Sequence, residues 1–299
     1  MIGAEEAVEP ESLGPLGDGE LVLVRRAQLG LGEHAKPHEA DTIVMTPRTI
    51  SFTTDYGLAD GFVAACHGAI ARLAPAARVI DVTHLIPPGD VRRGAAVLAQ
   101  TAPAFPPSVH LAVVDPGVGT ARRPIALSTV DGSLLVGPDN GLLVPAAEAL
   151  GGIATAVHLT NRAWFAEPVS ATFHGRDIFA PVAARLATGA PLPEAGDPID
   201  DPVTLPPPYV AFVDGRLESE ILTVDHFGNI QLAARDADLP GAVTVNGVPA
   251  TRGTTFGDVP EGALVLFTDS AGYLAVAVNG GSAAALLDVN PGGRVVIAP

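Results

Sequence analysis

Between Arg48 and Thr188 short apolar runs alternate with segments of helical period, and this alternation restricts the fold more than any other feature of the chain. Thr49–Thr53 reads as a buried strand. Gly61–Leu73 reads as an amphipathic helix with Phe62, Cys66, Ala69, Ile70 and Leu73 on one face. Arg78–Val82 is a second strand, and Asp90–Thr101 a second helix with Val91, Ala95 and Leu98 inward. Val109–Val114 is almost continuously apolar, which suits a strand covered on both faces. Pro124–Thr129 and Leu134–Val136 add strands, and Ile178–Thr188 a last helix. Such an order predicts an α/β fold, an N-terminal α/β/α domain over residues 48–189 with a largely parallel sheet.

The flanks read differently. Residues 1–47 hold Glu5, Glu6, Glu9, Glu11, Pro10 and Pro15 around one apolar island at Leu21–Val24, the composition of a flexible extension. Residues 190–208 are dense in proline and read as a linker. From 209 to 299 short β-type runs follow one another, punctuated by Gly and Asn: Glu220–Val224, Ile230–Leu232, Ala242–Val245, Ala263–Phe267, Tyr273–Val278 and Arg294–Ile297. They predict a smaller β-rich, barrel-like C-terminal domain.

Charge and composition exclude several functions. A net charge of −16 disfavours a nucleic-acid partner, because phosphate contacts need clustered Lys and Arg. It suits a cationic ligand better. No apolar run approaches the roughly 18 residues of a membrane span, and the acidic start is unlike a secretory signal. The single cysteine, Cys66, cannot form an intrachain disulfide and falls on the apolar helix stripe, so a cytoplasmic location and a core role are expected.

Polar residues gather where predicted strands end. Asp55 follows the first strand, Asp81 and His84 the second, Asp115 the third, and Asp139-Asn140-Gly141 a later one. Open parallel sheets bind ligands beyond these ends, although any one such residue could simply start a turn or cap a helix. Pro116, Gly117 and Gly119 make a tight loop after Asp115, and Arg122 follows, so a guanidinium faces a carboxylate across a loop. That pair can hold a water or an anion, or be a structural ion pair. His174-Gly175-Arg176-Asp177 is the second candidate; there Asp177 could be a helix cap and His174 a structural histidine. Asp81/His84 and His174/Asp177, each three apart, also raise a metal-dependent phosphoesterase. No His-x-His, His-Glu-x-x-His or cysteine pair supports it, and neither a Gly-x-Ser-x-Gly elbow nor a Walker loop occurs.

Six motifs occur in order: Thr53-Thr54-Asp55-Tyr56-Gly57, Asp81-Val82-Thr83-His84, Asp115-Pro116-Gly117-Val118-Gly119, Pro138-Asp139-Asn140-Gly141, Phe173-His174-Gly175-Arg176-Asp177 and Asp225-His226-Phe227-Gly228-Asn229. From about residue 49 to the C-terminus the chain thereby resembles the S-adenosylmethionine hydroxide adenosyltransferases, relatives of the fluorinating and chlorinating enzymes. The resemblance implies hydrolysis of S-adenosyl-L-methionine to adenosine and L-methionine, with no cofactor and no metal. It implies a homotrimer whose sites lie between one subunit's N-terminal domain and a neighbour's C-terminal domain. By motif position Asp115, Arg122 and His174 become the hydrolytic set, and Asp55, helped by Asp60, the ribose acceptor. Phe173 and Gly175 flank the substrate, and Asp225 faces the methionine ammonium. Phe227, Asn229 and Phe256 form the adenine platform; Ser270, Asn279 and Gly280 close the site. The halogenating branch lacks the carboxylate–guanidinium–imidazole set, which argues for water rather than halide as nucleophile. A non-catalytic S-adenosylmethionine or adenosine sensor is the main alternative. Ala271 stands where fluorinating relatives carry an arginine for the methionine carboxylate.

Overall fold

In the computed structural model, residues 22–23, 43–44, 48–235, 239 and 241–299 are described. The extension expected over 1–47 lies outside them, apart from Val22–Leu23 and Ile43–Val44, which pair as a short antiparallel ladder.

The N-terminal sheet runs Val79–Thr83, Ile50–Thr54, Val109–Val113, Leu134–Pro138, Pro124–Thr129, Ile153–Leu159 and Gly196–Ile199. The first four strands are parallel neighbours. The last three join by antiparallel pairings, with Pro124–Thr129 and Gly196–Ile199 running against the rest. Helices cover both faces. Phe62–Leu73 and Ala180–Ala187 pack with Phe52, Leu111 and Val136 on one side; Val91–Thr101 and Val144–Ala149 pack with Ala112, Leu127 and Leu135 on the other. Each such leucine, valine or phenylalanine removed from water contributes about 1.5–3 kcal/mol, which is why the central strands must be apolar on both faces. Cys66 is fully buried in this core, and burial pushes its thiol pKa up to about 12, so it is the inert core residue the helix stripe predicted.

The proline-dense segment is more structured than a linker. Leu192–Ala195 forms a 3-10 turn and Gly196–Ile199 the edge strand of the sheet. Beyond it Arg123 binds the Asp201 carboxylate at 2.8 Å and its carbonyl at 2.9 Å. Asp139 accepts from Val203 N–H at 2.7 Å and from Arg123 Nε at 2.8 Å. Leu205 sits against Gly141, and Tyr209 N–H is bound by Glu220 at 2.9 Å. A proline-rich composition marks where helices stop; it does not forbid pairing at a sheet edge.

The C-terminal part closes into a seven-stranded barrel. Arg216–Val224 pairs with Ile230–Arg235, which pairs with Tyr273–Val278, then Leu264–Thr268, Val248–Arg252, Ala242–Val245 and Arg294–Ala298, which returns to Arg216–Val224. Alternation is the cause: in Arg216–Val224 the inward Leu217, Ser219, Ile221 and Thr223 are buried and the residues between are not. Val210–Val213 adds an eighth strand outside the ring.

Candidate active site

The sheet's order reverses between Ile50–Thr54 and Val109–Val113: one connection leaves to one side, the next to the other. A crevice opens at such a switch point. Asp55 and Asp115 stand just past the carboxyl ends of these strands, and both line a cavity of about 220 Å³ with Tyr56, Gly89, His174 and Gly175.

The turn after Asp115 folds Arg122 back onto it. Val118 N–H donates to the Asp115 carbonyl at 3.2 Å, Thr120 N–H to Gly117 at 3.2 Å, and Arg122 N–H to the Thr120 hydroxyl at 3.3 Å. Gly119 has a φ of +77°, and a Cβ there would lie 2.5 Å from the Ala171 carbonyl oxygen, so only glycine closes this loop against the 171–174 segment. Asn140 Nδ2 donates to the Val114 carbonyl at 2.9 Å and fixes the strand end ahead of Asp115.

The result is a bidentate pair. Arg122 Nε donates to Asp115 Oδ1 at 3.0 Å and Nη2 donates to Oδ2. The two side chains are 7% and 6% exposed. Arg122 Nη2 also reaches His174 Nδ1 at 3.0 Å. A guanidinium can only donate, so Nδ1 is the acceptor and the neutral ring carries its proton on Nε2. Burial first, and then the Arg122 charge, lower the His174 pKa from its ordinary value, so the ring is neutral at pH 7. Arg122 Nη1 is buried and has no hydrogen-bond partner among the described residues. The guanidinium also lies 5.3 Å over the Phe179 ring, in a one-turn π-helix over Gly175–Phe179 that begins directly after His174.

Around this set the predicted residues divide. Asp55 lines the cavity; its Oδ2 accepts from Gly89 N–H at 2.8 Å. Gly175 also lines it, and a Cβ there would collide with the Tyr56 hydroxyl. Asp60 is exposed and outside the lining. Phe173 is outside the lining and packs behind it, edge-on to Tyr56 and Phe62 at 5.8 and 5.4 Å. Asp139 is a clamp, and Asp177 a buried partner of Arg176 that also accepts from Ser170 N–H at 2.9 Å, rather than a helix cap.

The barrel residues form a second concavity of about 370 Å³. Asp225, Asn229, Phe256 and Ser270 line it, facing Arg93 and Gln100 of the helix Val91–Thr101. Asp225 organises its own loop, accepting from Phe227 N–H and Asn229 N–H at 2.9 Å each and from Asn229 Nδ2 at 2.8 Å. Phe227 is 75% and Phe256 44% exposed. Asn279 and Gly280 lie outside this lining; Asn279 Nδ2 donates to the Val259 carbonyl at 2.8 Å. The two concavities share no lining residue. Tyr56 also lines the cavity in the sheet domain, and the sequence assigned it no role. Burial raises its phenol pKa, so it stays a neutral hydroxyl. The signal was its place beside Asp55 in the first motif.

A doubly wound sheet with a carboxylate–guanidinium–imidazole set at its switch point, followed by a closed barrel, defines the class: a two-domain α/β and β-barrel protein with a polar, charge-paired cavity in its sheet domain. The comparisons give the family. The SAM hydroxide adenosyltransferase N-terminal domain matches residues 50–196 and the C-terminal domain residues 219–296. This chain belongs to that family. It is similar to the (R)-S-adenosyl-L-methionine hydrolase of Salinispora tropica, at 65% identity over 82% of this chain and 96% of the relative. A Fluorinase of Actinoplanes sp. is 30% identical over 77% of this chain and 90% of the relative. A crystal structure of an uncharacterized conserved protein from Thermotoga maritima superposes with a TM-score of 0.78 at 38% identity, covering 84% of this chain and all of that one.

Proposed function

We propose that this protein hydrolyses S-adenosyl-L-methionine to adenosine and L-methionine, an oxygen from water replacing sulfur at ribose C5′. The observation that carries the reading is the unpartnered Nη1 of a buried Arg122 whose partners, Asp115 and His174, line the cavity. A buried N–H needs an acceptor, and a water or hydroxide oxygen supplies it. Relatives at 65% and 42% identity are named hydrolases of the (R) form. Since "L" already fixes the α-carbon, we assign the (R) configuration to the sulfonium sulfur.

The chemistry asks little of the leaving group, because a sulfonium departs as a neutral thioether. The nucleophile is what needs help. Arg122 Nη1–H and His174 Nε2–H are both donors, which favours the anionic form of the attacking oxygen. With Nδ1 occupied, His174 is not the base; Asp115, the anion of the set, accepts the water's proton as the C5′–O bond forms. The C5′–S pair passes to sulfur, the sulfonium charge disappears, and one proton leaves with the products. Alignment of the oxygen behind C5′ can lower the barrier by about 7 kcal/mol or more. No step calls for a metal or a cofactor.

We assign the second half of the site to a neighbouring subunit of a homotrimer. The 220 Å³ cavity is smaller than the roughly 300–1,000 Å³ of ordinary ligand pockets, and the aromatic side chains suited to an adenine lie open on the barrel. No helix among the described residues is long and apolar enough to cross a membrane; a cytoplasmic setting is the reading that fits a single buried thiol. The test is turnover in oxygen-18 water with EDTA present, beside an Asp115→Ala control. Label in the 5′-hydroxyl of adenosine, lost in the control, is expected. Tight adenosine binding without turnover would overturn the hydrolase in favour of a sensor.

A further inference from the structure

The Asp81/His84 motif is left over by the hydrolase site, and the fold adds a third residue to it. His67, on the helix Phe62–Leu73, places Nε2 2.9 Å from Asp81 Oδ1. Asp81 stands on the edge strand Val79–Thr83, and His84 directly after it; His84 Nε2 is 3.2 Å from the same oxygen. The three ligand atoms lie within 4.8 Å of one another. Phe52 packs against both imidazoles, at centroid distances of 5.8 and 4.9 Å, and so fixes their planes.

His84 is the unusual member. It is 4% exposed, yet Nε2 makes no hydrogen bond, its approach to Asp81 falling outside hydrogen-bonding geometry. Its other nitrogen is taken: Nδ1 lies 2.8 Å from the Thr54 hydroxyl, which also accepts from Tyr56 N–H at 3.1 Å. A histidine held through Nδ1 by an outer hydroxyl, with a bare Nε2 facing a carboxylate and a second imidazole, has the arrangement of a metal ligand with its supporting shell. A hydrogen-bonded His–Asp–His relay alone leaves Nε2 unsatisfied.

We propose that His67, Asp81 and His84 bind one divalent transition-metal ion, with zinc the best match to two imidazoles and one carboxylate. Tetrahedral bonds of about 2.0–2.1 Å set donor separations near 3.4 Å; the two edges to Asp81, 2.9 and 3.2 Å, are close to it, and the two imidazole nitrogens lie within 4.8 Å of each other. His67 and Asp81 are 35% and 45% exposed, so the fourth position opens to solvent and the ion can enter. The ion joins the sheet's edge strand to the first helix. Through Thr54 and the His84 carbonyl, which accepts from Gly57 N–H at 2.7 Å, it also braces the turn that carries Asp55. It takes no part in the hydrolysis, and the proposal does not rest on that reading.

The experiment is calorimetric titration of the chelator-stripped full chain with zinc chloride, with melting followed in parallel. One zinc per chain is expected, with a rise in Tm of several degrees at saturation. His67→Ala and Asp81→Asn, both at partly exposed positions that should not disturb folding, should each weaken binding at least tenfold. Absence of saturable binding, or unchanged affinity in both variants, would overturn the site. Cobalt(II) added to the unmodified chain is the second measurement. Intense visible bands of a four-coordinate ion are expected; only the weak bands of the hydrated ion would refute the proposal even if a variant failed to fold.

Discussion

Asp115→Asn is the substitution that most directly probes the site, because it keeps the shape of the side chain and removes its charge. Asp115 and Arg122 are 6% and 7% exposed, so the variant strands a buried guanidinium. It also replaces one carboxylate oxygen with an NH₂ group, and one of the two Arg122 donors, Nε or Nη2, then meets a donor instead of an acceptor. Removing one partner of a buried ion pair costs about 3–5 kcal/mol. At about 2–4 °C per kcal/mol for a domain of this size, the N-terminal domain should melt roughly 6–20 °C lower. Turnover should fall about 10²- to 10⁴-fold, the range for loss of a group that handles the nucleophile's proton. Scanning calorimetry reads the first effect and chromatographic release of adenosine under saturating substrate the second. A variant that melts with the parent and retains more than a tenth of its turnover would refute both the buried-pair energetics and the role given to Asp115.

Other outcomes follow from neighbouring groups. Neutral His174 is required to accept from Arg122, and its pKa is held below the ordinary value; kcat/KM should therefore persist below pH 6.5 and fall only at lower pH, whereas an acid limb centred above 6.5 would contradict the assignment. His110 is fully buried beside Ser51, 2.7 Å away, and burial pushes its pKa down to about 4. Between 6.5 and 4 the unfolded chain binds a proton that the folded one refuses, so this contribution is complete above pH 6.5 and up to about 3 kcal/mol is lost as pH falls toward 4. Urea unfolding across that interval should show the loss, and His110→Leu should flatten it. Gly175→Ala should destabilise by about 1–3 kcal/mol through collision with the Tyr56 hydroxyl. Tyr56→Phe should restore part of that loss in a double-mutant cycle, and strict additivity would show that the collision is relieved elsewhere.

Much of this arrangement was legible because it follows from local pattern. Val109–Val113 had to be central, given its apolar run, and Asp115 had to emerge at its end. Strands with weak signals were not legible. Ile153–Leu159 is diluted by Ala154, Thr155 and Ala156, and Val248–Arg252 is interrupted by Pro249, which is tolerated because it stands next to the hairpin turn and ahead of the parallel ladder, which starts at Ala250. The six-residue helix Val144–Ala149 is too short for its period to register. At the site, spacing placed Asp115 beside Arg122, seven residues apart. It could not reveal that Phe173 faces an aromatic cluster, or that Asp139 is spent on Arg123 and Val203, since both depend on what other segments bring.

The two arginines at 122 and 123 point to opposite business: one to the nucleophile, the next to the chain that leads to the barrel. Counting from that anchorage shortens the connection a great deal. Residues up to Leu205 are fastened to the sheet and Tyr209 to the barrel, so the unattached span is Pro206-Pro207-Pro208. Three prolines make a stiff strut of roughly 9 Å, at about 3.1 Å per residue, rather than a slack tether. A barrel on so short a strut keeps a nearly fixed station beside its own sheet, and its reach toward any other surface is set by the length of three residues.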